Sequence, residues 1–138
     1  MVARIQTIAF QGIEAVPVDV QVIITPGKKN IHIVGLPDKA VAESRERVQA
    51  ALHASGLSLP AKKVTVNLAP ADLRKEGPAY DLPIAIAILL ASEQAPAPSA
   101  TGNTASAEDA LFLGELSLDG SLRHTHGILV RREVAFSE

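Results

Sequence analysis

The ten-residue run Leu82-Pro83-Ile84-Ala85-Ile86-Ala87-Ile88-Leu89-Leu90-Ala91 contains no charged or polar side chain. A helix that is apolar on every side has to be buried on every side. A bilayer-spanning helix needs about 20 such residues, and this run is half that. It predicts a helix over Asp81–Ser92 laid against a sheet. Pro83 is tolerated there because the first turn of a helix has no intrahelical partner for its N–H groups. The chain is 47% hydrophobic but only 3% aromatic, so its core is built from Ala, Val, Ile and Leu.

Segments of period two supply the sheet. Val2–Phe10 is rich in β-branched residues and reads as a strand. In Ala15–Ile24, Val16, Val18, Val20 and Val22 alternate with Pro17, Asp19 and Gln21, the pattern of a half-buried strand. Pro17 has no ladder donor and belongs at an edge or bulge. A turn over Thr25–Asn30 leads to a third strand, with Ile31 and Ile33, that ends at Gly35. Lys63–Leu68 alternates again through Val64, Val66 and Leu68. Between these strands, Val41, Ser44, Val48, Ala51 and Leu52 recur at helical spacing over Asp38–Ser55. Asp38 is placed to cap that helix, Gly56 to end it, and Glu43 and Arg47 to form an i,i+4 pair.

Further along, Leu111–Leu118 reads as a strand, Asp119-Gly120 as a hairpin turn, Ser121–His124 as a returning strand and Gly127–Phe136 as the start of a helix. Gln94–Asp109 is rich in Ala, Pro, Ser and Thr and is expected to be a flexible surface loop. At 138 residues the chain fits one domain, 1–138. Strands alternating with helices predict an α/β (α+β) two-layer sandwich: a mixed sheet with helices on one face.

Charge and composition remove whole classes of function. Thirteen basic and fifteen acidic residues give a net charge of −2, unlike a domain that binds nucleic acid through its overall charge. The absence of cysteine excludes disulfides, thiolate metal sites and a cysteine nucleophile. No apolar export segment opens the chain, so the expected location is cytoplasmic, with no membrane partner. Gly27-Lys28-Lys29 imitates the end of a phosphate-binding loop, but Val22 stands where such a loop needs glycine and Lys29 where it needs Ser or Thr. His124 and His126 are two potential ligands without a third, so no metal site is assigned. The loop Asn67–Pro83 is the most unusual stretch. It leads into a helix N-terminus, where backbone donors favour an anion, and it carries Arg74 and Lys75, the candidate DNA-binding residues. Its carboxylates Asp72, Glu76 and Asp81 have no fixed separation from which to assign an acid–base pair.

At this loop the chain resembles a known family. Gly35-Leu36-Pro37, Glu43-Ser44-Arg45-Glu46-Arg47-Val48, the block Val64–Gly77, Tyr80-Asp81-Leu82-Pro83-Ile84-Ala85 and Gly114-Glu115-Leu116-Ser117-Leu118-Asp119-Gly120 are similar, in order, to the N-terminal domain of the YifB/ComM family of magnesium-chelatase-like AAA+ proteins. The resemblance reaches to about Arg123. It implies the ribosomal S5 domain 2-like fold, shared with the proteolytic domain of Lon, with a left-handed βαβ crossover. It also implies that the chain is part of a longer AAA+ protein.

The Lon kinship tests for peptidase chemistry. The stretch similar to the one bearing Lon's serine is Lys75-Glu76-Gly77-Pro78-Ala79-Tyr80-Asp81, which places Ala79 at the nucleophile position and about Leu129 at that of the general-base lysine. Neither side chain can do that chemistry, so no catalytic residue is assigned and the chain is expected not to be an enzyme. The resemblance implies a non-catalytic accessory domain of a ComM-like AAA+ ATPase, a DNA helicase acting in branch migration during natural transformation. Such a domain would aid assembly of a homo-hexameric ring, weak DNA contact, or both. ATP and magnesium would belong to an AAA+ module outside this chain. The alternatives are a component of a magnesium-chelatase-type ATPase and an inactive Lon-like peptide-binding module.

Overall fold

The computed structural model describes residues 2–11, 14–70, 73, 75, 78–92 and 112–123. The elements in order are β1 (Val2–Gln11), β2 (Glu14–Thr25), β3 (Asn30–Val34), α1 (Asp38–Ala54), β4 (Lys63–Ala69), a 3₁₀ turn (Pro78–Tyr80), α2 (Asp81–Ala91), β5 (Glu115–Leu116) and β6 (Leu122–Arg123). The first four strands form one mixed sheet in the order β1-β2-β4-β3, antiparallel except for the parallel pair β3 and β4; β5 and β6 form a separate antiparallel ribbon.

The register lines up core side chains in rows across the sheet. Ile5 lies opposite Val20, Val20 opposite Leu68, Val22 opposite Val66, and Val66 opposite Ile33. All five of these β2, β4 and β1 side chains are fully buried, and Ile33 is nearly so. They face Val48, Ala51 and Leu52 of α1 and Ile84, Ala87 and Ile88 of α2 in one cluster. Burying a Val or Ile side chain contributes about 1.5–3 kcal/mol relative to leaving it in water, so each row adds to the cohesion of sheet and helices. Both helices therefore lie on the same face.

Backbone direction fixes the hand of the β3–α1–β4 connection. The Asn30 N–H donates to the Lys62 carbonyl at 3.4 Å, so Asn30, His32 and Val34 hydrogen-bond toward β4 while their side chains face away from the helices. For L-residues this places β4 to the left of an upward-running β3 when seen from the helix side. The crossover is left-handed, against the usual rule for such units.

Local signals are resolved in detail. Pro17 pairs with Ile8 on one side, and β4 reaches only as far as Asp19 on the other, so its missing donor faces no strand. The N-cap of α1 is Pro37 and not Asp38, which sits in the first turn and makes no capping bond; its charge still complements the helix dipole. At the other end Gly56, at φ +75°, and Leu57 donate to the carbonyls of His53 and Leu52, the paired bonds of a Schellman motif. Of the expected strand Leu111–Leu118, the first residue of which lies outside the described residues, only Glu115–Leu116 is strand among those described; Gly114 hydrogen-bonds to the 3₁₀ turn and the start of α2. The expected loop Gln94–Asp109 and the helix from Gly127 lie outside the described residues.

Candidate functional site

The site lies where α1, the 3₁₀ turn, the start of α2 and β5 meet. Tyr80 and Asp81 end the 3₁₀ turn and open α2, and the apolar face that follows pulls this junction against the sheet. Residues 114–116 lace across it: Gly114 N–H donates to the Ala79 carbonyl at 2.8 Å, and Leu82 N–H donates to the Gly114 carbonyl at 3.0 Å.

Asp81 is the centre. Its carboxylate is 1% exposed and accepts from Ser44 Oγ at 2.7 Å, from Arg47 Nε and Nη2, and from the Leu116 backbone N–H at 3.2 Å. A buried carboxylate is tolerated only when paired and fully hydrogen-bonded, and the fork of Arg47 supplies both lone-pair directions. The hydrogen bond to Asp81 raises the pKa of Arg47 above its ordinary value, helped by the Asp81, Glu115 and Glu43 charges and opposed by burial. The expected Glu43–Arg47 pair is present at 3.9 Å but is secondary. Sequence alone gave each residue a local role; no spacing rule connects Ser44 and Arg47 to Asp81.

At the helix start that the sequence marked as receptive to an external anion, the Leu82 N–H is taken by the carbonyl of Gly114, while the Asp81 carboxylate of the first turn is directed to α1 and β5. Lys75, expected to reach an anion from this loop, is turned inward. It is 1% exposed and its Nζ donates to the carbonyls of Pro70 and Leu73. Neither carbonyl lies in a strand, and the ammonium gives each a donor. Arg74, the other candidate, lies outside the described residues, as do Asp72, Glu76, His124, His126 and Leu129. Ala79 is buried at 3% exposure, and its methyl group brings no nucleophile to the junction.

Beside the junction a cleft of about 490 Å³ has Lys39, Glu43, Arg47, Lys75 and Glu115 in its walls. The charges are mixed in sign. No group of three or more His, Cys, Asp or Glu among the described residues is placed to hold a metal ion. Nor does the Gly27-Lys28-Lys29 turn fit a nucleotide, since a phosphate-binding loop joins a strand to a helix and this turn joins β2 to β3. Among the described residues no helix is long and apolar enough to cross a membrane.

Fold and site define a two-layer α+β domain whose polar centre binds helices to each other. Comparison with known proteins places that domain: over residues 20–135 the chain matches the family model described as subunit ChlI of Mg-chelatase, and it belongs to this family. It is 48% identical over 128 residues to the uncharacterized protein YifB of Salmonella typhimurium, covering 92% of this chain and 24% of that protein. It is 47% identical over 125 residues to YifB of Escherichia coli, 91% of this chain and 23% of that protein. It is 45% identical over 121 residues to the competence protein ComM of Haemophilus influenzae, 88% of this chain and 22% of that protein. The chain thus spans about a quarter of the length of the curated relatives it matches.

Proposed function

We propose that this domain is a non-catalytic accessory part of a ComM-like AAA+ ATPase, a cytoplasmic DNA helicase of branch migration, and that it helps assemble the hexameric ring or hold DNA against it. The observation that carries the reading is the centre of the site. Ser44, Arg47 and Asp81 are committed to one another, and Ala79 occupies the position where a Lon-like domain would need its serine. The similarity to a competence protein, ComM, supports this choice of parent. ATP and magnesium belong in this reading to the ATPase module of that parent.

The test is a chimera of Haemophilus influenzae ComM with this chain in place of the matching segment. The chimera should form rings and migrate branched DNA with ATP, and deletion of the segment should impair assembly, seen by light scattering, or DNA capture. Unimpaired assembly and capture after deletion would overturn the reading, and so would ATP or casein hydrolysis by the isolated chain. The description of the family model favours a second reading, a magnesium-chelatase component. Magnesium insertion into protoporphyrin by the chimera, without branch migration, would decide for it.

A further inference from the structure

The end of the sheet farthest from the cleft carries a charge feature that neither the net charge nor the site predicts. β2 and β3 are not neighbours; β4 lies between them. The turn Pro26-Gly27-Lys28-Lys29 therefore has to cross over the first residue of β4. The Cα of Lys63 lies opposite Thr25 of β2 on one side and Asn30 of β3 on the other. Asn30 N–H donates to the Lys62 carbonyl at 3.4 Å. The backbone of Gly27 comes so near that a Cβ added there would lie 3.4 Å from the Lys63 Cβ. The topology thus brings Lys28 and Lys29 of one segment beside Lys62 and Lys63 of another, 34 residues later in the chain.

All four lysines are exposed, and none is in an ion pair with a described carboxylate. The nearest acid on β2, Asp19, is six residues from Thr25, roughly 20 Å along the strand, and is engaged by Gln6, Gln21 and Arg4. On α1 the last acid is Glu46, eight residues before the C-terminal Ala54, roughly 12 Å away along the axis. Asp119, on the ribbon whose Gly120 packs against Ser55, accepts from Ser121. Four of thirteen basic residues thus share one end of an otherwise acidic domain.

We infer that Lys28, Lys29, Lys62 and Lys63 form a contact surface for the phosphate backbone of a nucleic acid strand. Lysine ammoniums are mobile point charges suited to sequence-independent phosphate contact. With no aromatic residue among them to stack a base, the surface reads charge and not sequence. The net charge of −2 opposes binding everywhere else, so the contact is local, weak and sensitive to salt. The choice of nucleic acid as the polyanion rests on the ComM-like reading above, whereas the patch itself does not.

The experiment uses the full 138-residue chain and a fluorescein-labelled single-stranded oligonucleotide, with anisotropy followed against salt. Four phosphate contacts predict a slope of log K on log salt of about −2.8. Replacing all four lysines with Gln should lower affinity at least about tenfold and flatten the slope by two or more, since each phosphate contact contributes about 0.7. The Lys→Arg quadruple variant should retain both. Replacing Arg4 and Lys39, which lie elsewhere, should change little. An unchanged slope in the Gln variant overturns the proposal. So does an equal loss from the Arg4 and Lys39 control, which would mark a response to net charge alone. Tighter binding to anionic phospholipid vesicles or to polyglutamate than to the oligonucleotide also overturns it. Ring assembly by the ComM chimera is a separate readout, so failure of the patch and failure of the accessory-domain reading are distinguishable.

Discussion

Arg47, in the middle of α1, closes a two-pronged hydrogen bond on the buried carboxylate of Asp81, 34 residues later, at the first turn of α2. The same carboxylate holds Ser44 and the backbone of β5. One side chain therefore sets the position of two helices and the ribbon. The cation also lies at the positive end of α2, an unfavourable place that the Asp81 charge offsets, helped by Glu115 and Glu43.

Removing either partner should be costly. Arg47→Met leaves Asp81 as a buried charge without a counter-ion, and Asp81→Asn removes the charge beside half-buried Arg47 and turns an NH2 donor toward groups that are themselves donors. Each should lower stability by about 3–5 kcal/mol in urea unfolding. A cation whose pKa is raised on folding contributes its stability below the unfolded value and loses it only above the folded one. Both values lie far above neutrality for Arg47, so the effect should be constant from pH 6 to 9. A cost under 1 kcal/mol would show that the pair is dispensable.

Lys75→Ala should destabilise the domain by roughly 2–4 kcal/mol, since it strips the donor from two loop carbonyls. Lys39→Ala, at an exposed lysine, should change stability by less than about 0.5 kcal/mol. Equal urea midpoints for the two variants would place Lys75 at the surface.

Thr7 is fully buried on the core face of β1, opposite Val18, and its hydroxyl has no hydrogen-bond partner among the described residues. Thr7→Val keeps the shape and removes the unmet polar group. It should be neutral or stabilising by up to about 1 kcal/mol. A loss of stability in thermal unfolding would mean that the hydroxyl is satisfied in solution.

Asp119 accepts from the side chain and backbone of Ser121 in the turn of the β5–β6 ribbon, and these bonds hold its pKa below the ordinary carboxylate value. A carboxylate depressed on folding stabilises the fold above its unfolded pKa and loses that contribution as pH falls through the folded one. In an NMR titration Ser121→Ala should move the Asp119 pKa up toward the ordinary value. No movement would remove the side-chain bond as the cause.

Much of the architecture is legible in the sequence because it is dictated by short-range periodicity. The alternation in Ala15–Ile24 and Lys63–Leu68 gives two strands and their inward faces, and the stripe through Ser44, Val48, Ala51 and Leu52 gives the buried side of α1. The all-apolar run from Leu82 marks a helix packed against the sheet, with Leu82, Ile86, Leu89 and Leu90 only partly buried. Gly56 ends α1 because a residue at positive φ is needed there, a demand that acts over a single turn of chain. The failures share one cause. Asp38 is a good cap by type, yet Pro37 takes the position. Leu111–Leu118 has the composition of a strand, but Gly114 is drawn onto α2. Lys75 is a charged loop residue by every local rule, and becomes a buried donor to the carbonyls of Pro70 and Leu73. The union of Ser44, Arg47 and Asp81, and the meeting of Lys28 and Lys29 with Lys62 and Lys63, depend on the strand order β1-β2-β4-β3 and the left-handed crossover. Periodicity reports which way a side chain points. Which distant side chain it meets is decided only when the sheet is assembled, because hydrogen bonds and charge pairing act over a few ångströms whatever the separation along the chain.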